Sequence, residues 1–194
     1  MSKKIDSNTP VMKQFLEVKD KYKDSIVLFR MGDFYETFLE DAITTSKILG
    51  IVLTKRANGK AANVDLAGFP HHALDNYLPK LVKAGHRVAI CEQMEDPKLT
   101  KGIVKREVVE VVTPGTLTGD QTLNDKSNRY IGAICSLKHD SGFAFLDSST
   151  GEFYVGECDT DKLNNTLLKF RPQEIIVSEK AIYSTSTWYM EFQP

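Results

Sequence analysis

The spacing of apolar residues predicts a helix near the start of the chain. Thr9 comes directly before Pro10, and this order is typical of a helix start because threonine caps the first turn and proline suits the first helical position. Apolar residues follow at helical spacing as far as Tyr22, and Lys19 is the only polar residue in their stripe. We therefore expect an amphipathic helix that buries this stripe.

The pattern up to residue 115 predicts two more helices and five strands. Helices are expected over Leu39–Leu49, which Gly50 ends, and over His71–Ala84, where Pro79 can kink the backbone. A Gly-containing loop over Lys55–Ala62 is expected between two of the strands. The predicted strands are Ile26–Arg30, Ile51–Thr54, Val64–Ala67, His86–Glu92 and Val104–Val112.

The pattern beyond residue 128 predicts three strands, a helix and a fourth strand. Residues 113–128 are rich in Gly, Thr, Asp and Asn and poor in apolar residues, which is typical of a linker. Three antiparallel strands followed by a helix and a strand are the opening order of a ribonuclease-H-like fold. The predicted elements are the strands Tyr130–Lys138, Phe143–Asp147 and Gly151–Glu157, the helix Asp159–Phe170 and the strand Glu174–Ser178.

These patterns together predict an α/β (α+β) chain with two domains. Residues 1–115 are expected to form a mixed sheet with flanking helices, residues 116–128 a linker, and residues 129–194 a partial ribonuclease-H-like α/β domain. The 66 residues after residue 128 end in a stretch without clear periodicity. We therefore expect the second domain to be truncated and the chain to be a fragment of a longer protein.

Composition narrows the class of protein. A content of 41% hydrophobic and 26% charged residues is typical of a soluble globular protein. No apolar run approaches the roughly 18 residues that a membrane span needs, so we expect no membrane partner. Cys91, Cys135 and Cys158 are odd in number and widely spaced, which disfavours a disulfide framework or a zinc site and favours the cytoplasm.

Charge is distributed unevenly along the chain. Residues 1–115 carry 18 Lys and Arg against 15 Asp and Glu, which gives +3. The remaining residues carry 7 basic and 11 acidic side chains, which gives −4. This asymmetry is too mild to identify a nucleic-acid-binding protein, which usually has a strongly basic patch. It does indicate two units and favours the first of them for any DNA contact.

The octapeptide Met31–Phe38 (MGDFYETF) contains the candidate site. Gly32 and Asp33 supply turn chemistry after a predicted strand, and no helix-capping residue directly follows. If the next three residues are extended, Phe34 and Glu36 share one face and Tyr35 points to the other. From residue types alone, such an aromatic ring is more often part of a core and such a glutamate more often a solvated charge. Tyr35 is expected to be a core residue whether Phe34 and Glu36 form a functional face or not.

The octapeptide and several other segments resemble the MutS family of bacterial DNA mismatch-recognition proteins. The segments that match in order are TPVMKQFLEVKDKYKDSIVLFRMGDFYETFLEDA, AGFPHHALDNYLPKLVKAGHRVAICEQMEDP, VVTPGT and, more loosely, LDSSTGEF. This resemblance implies that residues 1–115 are a mismatch-recognition domain and that residues 129–194 begin a connector domain.

The resemblance assigns roles to Phe34 and Glu36. Phe34 matches the phenylalanine that enters the minor groove and stacks on a mispaired or unpaired base. Glu36 matches the glutamate that hydrogen-bonds this base and disfavours intact duplex. As an anion Glu36 accepts from a thymine N–H, and it must be protonated to donate to a purine nitrogen. Desolvation in a DNA interface would raise its pKa and favour protonation.

Other candidate DNA contacts are less specific. Met31 either lies against DNA beside Phe34 or packs in the core. Lys55 and Arg56 either bind phosphates, which position DNA without specifying its sequence, or are solvated, and the same alternatives hold for Lys60 and for Lys105–Arg106.

The resemblance also implies partners and cofactors beyond this chain. Mismatched double-stranded DNA is the expected ligand, and the full-length protein is expected to form a MutS homodimer and to bind a MutL-type partner through the connector domain. ATP and magnesium are expected for the full-length protein but not for this fragment, since Asn58-Gly59-Lys60-Ala61 is no phosphate-binding loop. The expected location is the bacterial cytoplasm, in association with the nucleoid. We expect this fragment to have no catalytic residue.

Two other functions are alternatives. Asp147 is similar to the first metal-binding carboxylate of ribonuclease H. The first alternative is therefore a metal-dependent nuclease or small-molecule enzyme on the second domain. No full acidic set can be placed around it, so catalysis there is disfavoured. His71 and His72 are adjacent rather than at metal-ligand spacing, so a helix-start role is expected. A relative that binds branched or undamaged DNA is the second alternative, but such relatives usually lack Phe-x-Glu.

Overall fold

The computed structural model describes residues 9–58, 61–96, 99–100, 102–117, 128–136 and 139–178. The chain divides into two compact units, Met1–Thr113 and Pro114–Pro194. Several predicted features fall outside the described residues: Lys60, residues 118–127 of the linker, Lys138 and residues 179–194.

Where the structure describes it, the first unit is a six-stranded mixed sheet with three α-helices. The strand order is β3-β4-β2-β1-β5-β6, in which β1 and β5 are parallel and the other neighbours antiparallel. The strands are β1 (Ser25–Met31), β2 (Phe34–Phe38), β3 (Thr54–Asn58), β4 (Ala61–Pro70), β5 (Arg87–Gln93) and β6 (Arg106–Val112). The helices are α1 (Pro10–Lys21), α2 (Leu39–Leu49) and α3 (Leu74–Lys83). The mixed sheet with flanking helices is confirmed.

Helix α1 begins as its sequence predicts. The Thr9 hydroxyl accepts a hydrogen bond from the Met12 N–H at 3.4 Å, and Pro10 is the first helical residue. The helix buries Phe15 against two rings of the sheet, at centroid distances of 5.8 Å to Phe29 and 4.9 Å to Phe38. This edge-to-face cluster is the centre of the core on the α1 face of the sheet.

Strand β1 is buried along most of its length because both faces of the sheet are covered. Phe29 faces α1, whereas the opposite face packs against α3. On that side the ring centroids of Phe69 and Tyr77 are 4.7 Å apart, and those of Tyr35 and Phe69 are 5.9 Å apart. The side chains of successive residues on these strands therefore enter two different cores.

Lys19 interrupts the apolar stripe of α1 because it pairs with a buried carboxylate. Its amine lies 2.8 Å from Oδ1 of Asp41 and donates to the Ser25 carbonyl oxygen at 2.6 Å. The second carboxylate oxygen of Asp41 accepts the Val27 N–H at 3.0 Å. Asp41 thereby ties the first turn of α2 to α1 and β1.

Two predictions for residues 51–62 are wrong. Ile51–Thr54 is not a strand, because β3 begins only at Thr54 and the Ser46 hydroxyl holds the Ile51 carbonyl at 2.6 Å. The described part of the predicted loop Lys55–Ala62 belongs to strands β3 and β4, which pair antiparallel. The charged residues of this segment have low intrinsic strand propensity, and pairing with β4 overrides that preference.

The predicted helix over His71–Ala84 has two parts. A 3₁₀ turn over His71–Ala73 comes first, and α3 follows from Leu74 to Lys83. Pro79 lies inside α3 with its side chain buried, and the helix continues past it.

The described part of the second unit is a four-stranded sheet with one α-helix. Its strand order is β10-β7-β8-β9, with β10 parallel to β7 and the other pairs antiparallel, which is the ribonuclease-H-like arrangement that the sequence predicts. Phe145 and Phe170 stack at 4.4 Å, and Leu163 and Leu167 are fully buried beside them. The elements are β7 (Tyr130–Ser136), β8 (Asp140–Asp147), β9 (Phe153–Asp159), α4 (Leu163–Phe170) and β10 (Glu174–Val177).

The helices in the described parts of both units are too short or too polar to cross a membrane.

The buried carboxylate of Asp41 predicts the effect of removing its partner. Lys19→Met should lower the free energy of unfolding by roughly 2–4 kcal/mol, because it leaves a buried charge without its cation. Lys23→Met is the control, since Lys23 pairs with Asp20 at 3.0 Å while both side chains are at least 75% exposed. We expect its effect to stay below about 1 kcal/mol. Urea unfolding of both variants measures this, and equal effects would contradict the role of Asp41.

Candidate functional site

A two-residue turn joins β1 to β2 and precedes Phe34. Gly32 takes a φ of +59°, a conformation that such a hairpin turn requires and that glycine adopts without strain. The carbonyl oxygen of Asp33 accepts the backbone N–H of His71 at 2.8 Å and lies 3.1 Å from its ring Nδ1. The start of the 3₁₀ turn therefore anchors the hairpin, a contact that sequence analysis missed.

Side chains alternate along β2 as the sequence predicts. Phe34 is 48% exposed, Tyr35 is 3% exposed, and Glu36 is half-buried on the same face as Phe34. Phe34 is paired across the sheet with Met31 of β1 on one side and Pro70 of β4 on the other. The ring of Phe34 thus lies at the end of the sheet, between two apolar neighbours.

Tyr35 belongs to the core on the opposite face. Its hydroxyl donates to the Glu92 carboxylate, and the Arg30 guanidinium lies 5.5 Å from the centre of its ring. Burial and the negative charge of Glu92 raise the pKa of Tyr35 far above its usual value, so it stays a neutral donor. The interpretation of Tyr35 as a core residue is confirmed.

Glu36 forms an ion pair with Arg56. The Arg56 Nη1 atom lies 2.6 Å from Oε2 of Glu36, although the two residues are on strands separated by β4. Burial raises the pKa of Glu36 above its usual value, and the positive charges of Arg56 and Arg106 offset part of this rise. The sheet therefore already desolvates the carboxyl group that was expected to be desolvated in a DNA interface.

Gly68 keeps β4 close to β2 at this position. It is the register partner of Glu36, and an added Cβ atom would lie 2.8 Å from the Tyr35 carbonyl oxygen and 3.5 Å from Cγ of Glu36. Because a side chain there would collide with backbone, glycine is needed at this point of the strand. Because Gly68 has no side chain, no side chain of β4 stands between Arg56 and Glu36 at this position.

Arg106 is held in place by backbone and side-chain acceptors. Its Nε atom donates to the Arg30 carbonyl oxygen at 2.6 Å, and Nη1 donates to Oε1 of Gln14 at 3.1 Å. The guanidinium also lies 5.1 Å from the centre of the Phe29 ring. Arg106 therefore packs against β1 and α1 beside the site, a role that neither of its predicted alternatives, phosphate binding or solvation, describes.

The remaining candidates are placed as follows. Lys55 and Arg56 are exposed on β3 rather than in a loop, and strand alternation puts Lys55 on the face opposite Glu36. Met31 is partly buried and packs against the core of the first unit. Lys105 is exposed and pairs with Glu107 at 2.6 Å.

Asp147 in the second unit accepts hydrogen bonds from the turn that follows β8. It is fully buried, and Oδ1 accepts the Ser149 N–H at 2.9 Å, the Ser149 hydroxyl at 2.6 Å and the Thr150 N–H at 3.3 Å. Oδ2 accepts the Arg129 N–H at 3.1 Å. Burial alone would raise the pKa of Asp147, but these hydrogen bonds lower it below its usual value. The geometry therefore favours a structural role over the nuclease alternative.

Two family models match the chain. The model of MutS domain I matches residues 9–121, and that of MutS domain II matches residues 129–192.

Similar relatives are named DNA mismatch repair protein MutS. The protein from Porphyromonas gingivalis is 57% identical over 169 residues, which cover 87% of this chain and 19% of that relative. The protein from Flavobacterium psychrophilum is 54% identical over 180 residues, which cover 93% of this chain and 21% of that relative. The chain thus spans about a fifth of the length of the curated relatives it matches.

The contact at Gly68 predicts a local effect of adding one methyl group. Gly68→Ala should lower the free energy of unfolding by about 1–3 kcal/mol, because β2 and β4 must move apart. Gly142→Ala is the control, since an added Cβ at this strand glycine would meet nothing closer than 4.0 Å. Thermal unfolding compares the two variants, and a Gly68 variant as stable as the control would show that the close approach is unimportant.

Proposed function

The chain belongs to the MutS family, and from this premise we propose that its first unit recognises mismatched double-stranded DNA. The observation that carries the proposal is the exposure of Phe34. Of the five phenylalanines in the first unit, the other four are at most 2% exposed, whereas Phe34 is 48% exposed. A large apolar side chain held at the end of a rigid sheet is suited to contact a partner.

Phe34 acts as a wedge between stacked bases. Separating a base step costs a few kcal/mol, and this cost is lowest where base pairing is already weak. A phenyl ring stacks on any base, so the wedge detects deformability rather than a particular sequence. Pairing of β2 on both edges, and the contact between Asp33 and His71, support this role because they prevent the ring from retreating.

Glu36 discriminates between mismatched and matched duplex. As an anion it accepts a hydrogen bond from an exposed thymine N–H, and when protonated it donates to a purine ring nitrogen. The raised pKa of Glu36 supports the second state, because burial already disfavours its charge. On an intact duplex the carboxylate finds no hydrogen-bond partner on a base and is repelled by the phosphates.

Met31, Lys55 and Arg56 are proposed auxiliary contacts. Met31 is paired with Phe34 across the hairpin, and this pairing supports a contact of Met31 with the DNA beside the wedge. Lys55 and Arg56 are exposed on the edge strand β3, where long cationic side chains can reach phosphates.

The wider assignments are also proposals. We assign residues 1–115 to a mismatch-recognition domain and residues 129–194 to a connector domain, neither of them catalytic. Homodimer formation, a MutL-type partner bound through the connector domain and association with the nucleoid are proposed for the full-length protein. ATP and magnesium are proposed for the full-length protein as well. The sequence contains no G-x-x-x-x-G-K-[ST] motif, so no residue of this chain is assigned to ATP.

Removal of the Phe34 ring should abolish most of the preference for mismatched DNA. In the full-length protein, Phe34→Ala should weaken binding to a G·T duplex by about tenfold or more, since base–aromatic stacking contributes roughly 1–3 kcal/mol. Phe153→Ala is the matched control, because this phenylalanine is 62% exposed in the second unit. Competition binding against matched duplex measures the preference. Undiminished preference in the Phe34 variant would refute the wedge.

Removal of the Glu36 carboxylate should narrow the preference in a different way. Glu36→Ala should bind matched duplex more tightly, and the mismatch preference should fall by about tenfold, as expected for a charged hydrogen bond of roughly 1.5 kcal/mol. Glu40→Ala removes the same charge from an exposed position four residues away and serves as the control. A Glu36 variant that discriminates as well as the control would exclude the assigned role.

A further inference from the structure

We propose, on the basis of the proposed function, that Arg56 is a positioning residue for Glu36: it holds the carboxylate in the free protein and releases it when the guanidinium moves to a DNA phosphate. The exchange would couple the contact between Arg56 and the DNA backbone, which does not depend on base sequence, to the protonation state of Glu36, which contacts the base.

The geometry makes Arg56 the mobile partner of the pair. Glu36 lies on β2, which is paired along both edges, and its side chain is 19% exposed. Arg56 lies on the edge strand β3, and its side chain is 42% exposed. A partly exposed ion pair on a flexible side chain contributes little to stability, so a phosphate can compete for the guanidinium.

Among the residues that the structure describes, the other groups that act on Glu36 or face it from β1, β4, β5 and β6 are fixed or uncharged. Arg106 of β6 is the second cation that acts on Glu36 among the described residues, but hydrogen bonds to Arg30 and Gln14 hold it. On β5, burial raises the pKa of the Cys91 thiol to about 12, so it is neutral. The facing residues of β1 and β4 are Phe29 and Gly68, which carry no charge. Movement of Arg56 is therefore the change that alters the charge balance at Glu36.

The consequence of this movement follows from the sign of each effect. Burial raises the pKa of Glu36 and Arg56 lowers it. When Arg56 leaves, the effect of burial remains, the pKa of Glu36 rises further, and the carboxyl group takes up a proton more readily. A protonated Glu36 can then donate to an acceptor nitrogen of an unpaired purine.

The first test is a titration of Glu36 in the 194-residue chain. Carbon-13 NMR of labelled glutamate should give a higher titration midpoint for Glu36 in Arg56→Gln than in the parent chain. Lys55→Gln removes the neighbouring cation on the opposite face and should leave the midpoint unchanged. Arg56→Lys keeps the positive charge, so its midpoint should lie close to that of the parent chain. A midpoint that Arg56→Gln does not raise, or raises no more than Lys55→Gln does, would overturn the inference.

The second test measures binding of the full-length protein to a duplex with one unpaired adenine as a function of pH. The affinity should be constant at low pH and should fall above the pKa of Glu36 in the free protein, because binding then requires proton uptake. Arg56→Gln should move this break to higher pH. Lys55→Gln should lower affinity for matched and unpaired duplex alike, reduce the salt slope by about 1 and leave the break in place.

Glu36→Gln separates this inference from the proposed function. It cannot ionise, so its affinity should show no break. A break that persists in Glu36→Gln would refute the role of Glu36 itself. A break that disappears in Glu36→Gln but is unmoved by Arg56→Gln would leave that role intact and refute the role of Arg56.

Discussion

Strand β2 is hydrogen-bonded to β1 along one edge and to β4 along the other, and this double pairing determines where each of its side chains points. A shift of one residue in the register would bury Phe34 and Glu36 and expose Tyr35 and Thr37. Burial of Tyr35 and Thr37 therefore holds Phe34 and Glu36 in position on the other face. Tyr35 donates to Glu92, and the Thr37 hydroxyl donates to a backbone carbonyl of β4 at 2.9 Å.

Three arginines of the first unit show how charge is arranged around this strand. Arg30 pairs with Glu92 behind Tyr35, and Arg106 is held by the Arg30 carbonyl and by Gln14. Arg56 differs from both, because it reaches Glu36 from an exposed edge strand. The proposed discrimination thus depends on Glu36, whose pKa is raised by burial in the sheet, and on Arg56, whose exposed side chain can move.

Local signals in the sequence were sufficient for α1 and β2. The cap at Thr9 predicted α1, and the absence of a capping residue among Phe34, Tyr35 and Glu36 favoured an extended conformation for these three residues. The ion pairs were not predictable, because Lys19–Asp41 and Glu36–Arg56 join residues at least 20 positions apart through packing and strand register.

The error at residues 51–62 has the same origin. The apolar stretch at Ile51 and the charged stretch at Lys55 suggested a strand followed by a loop. In the structure it is the charged stretch that pairs with β4 and forms a strand. Asn58–Gly59 in the sequence is a hairpin-turn signal, and it was the feature that could have indicated this pairing. With β3 placed correctly, Arg56 would have been expected near β2.

The proposed function requires the ring at position 34 to enter the base stack at the mispair. The most direct measurement is photo-crosslinking with p-benzoylphenylalanine at position 34 of the full-length protein, bound to a duplex that carries a single G·T pair at a known position. If the ring enters the stack, the crosslinks should map to the mispaired nucleotides and their immediate neighbours and should be weak on matched duplex. Crosslinks that are spread along the duplex, or are equally strong without the mispair, would contradict the proposed function.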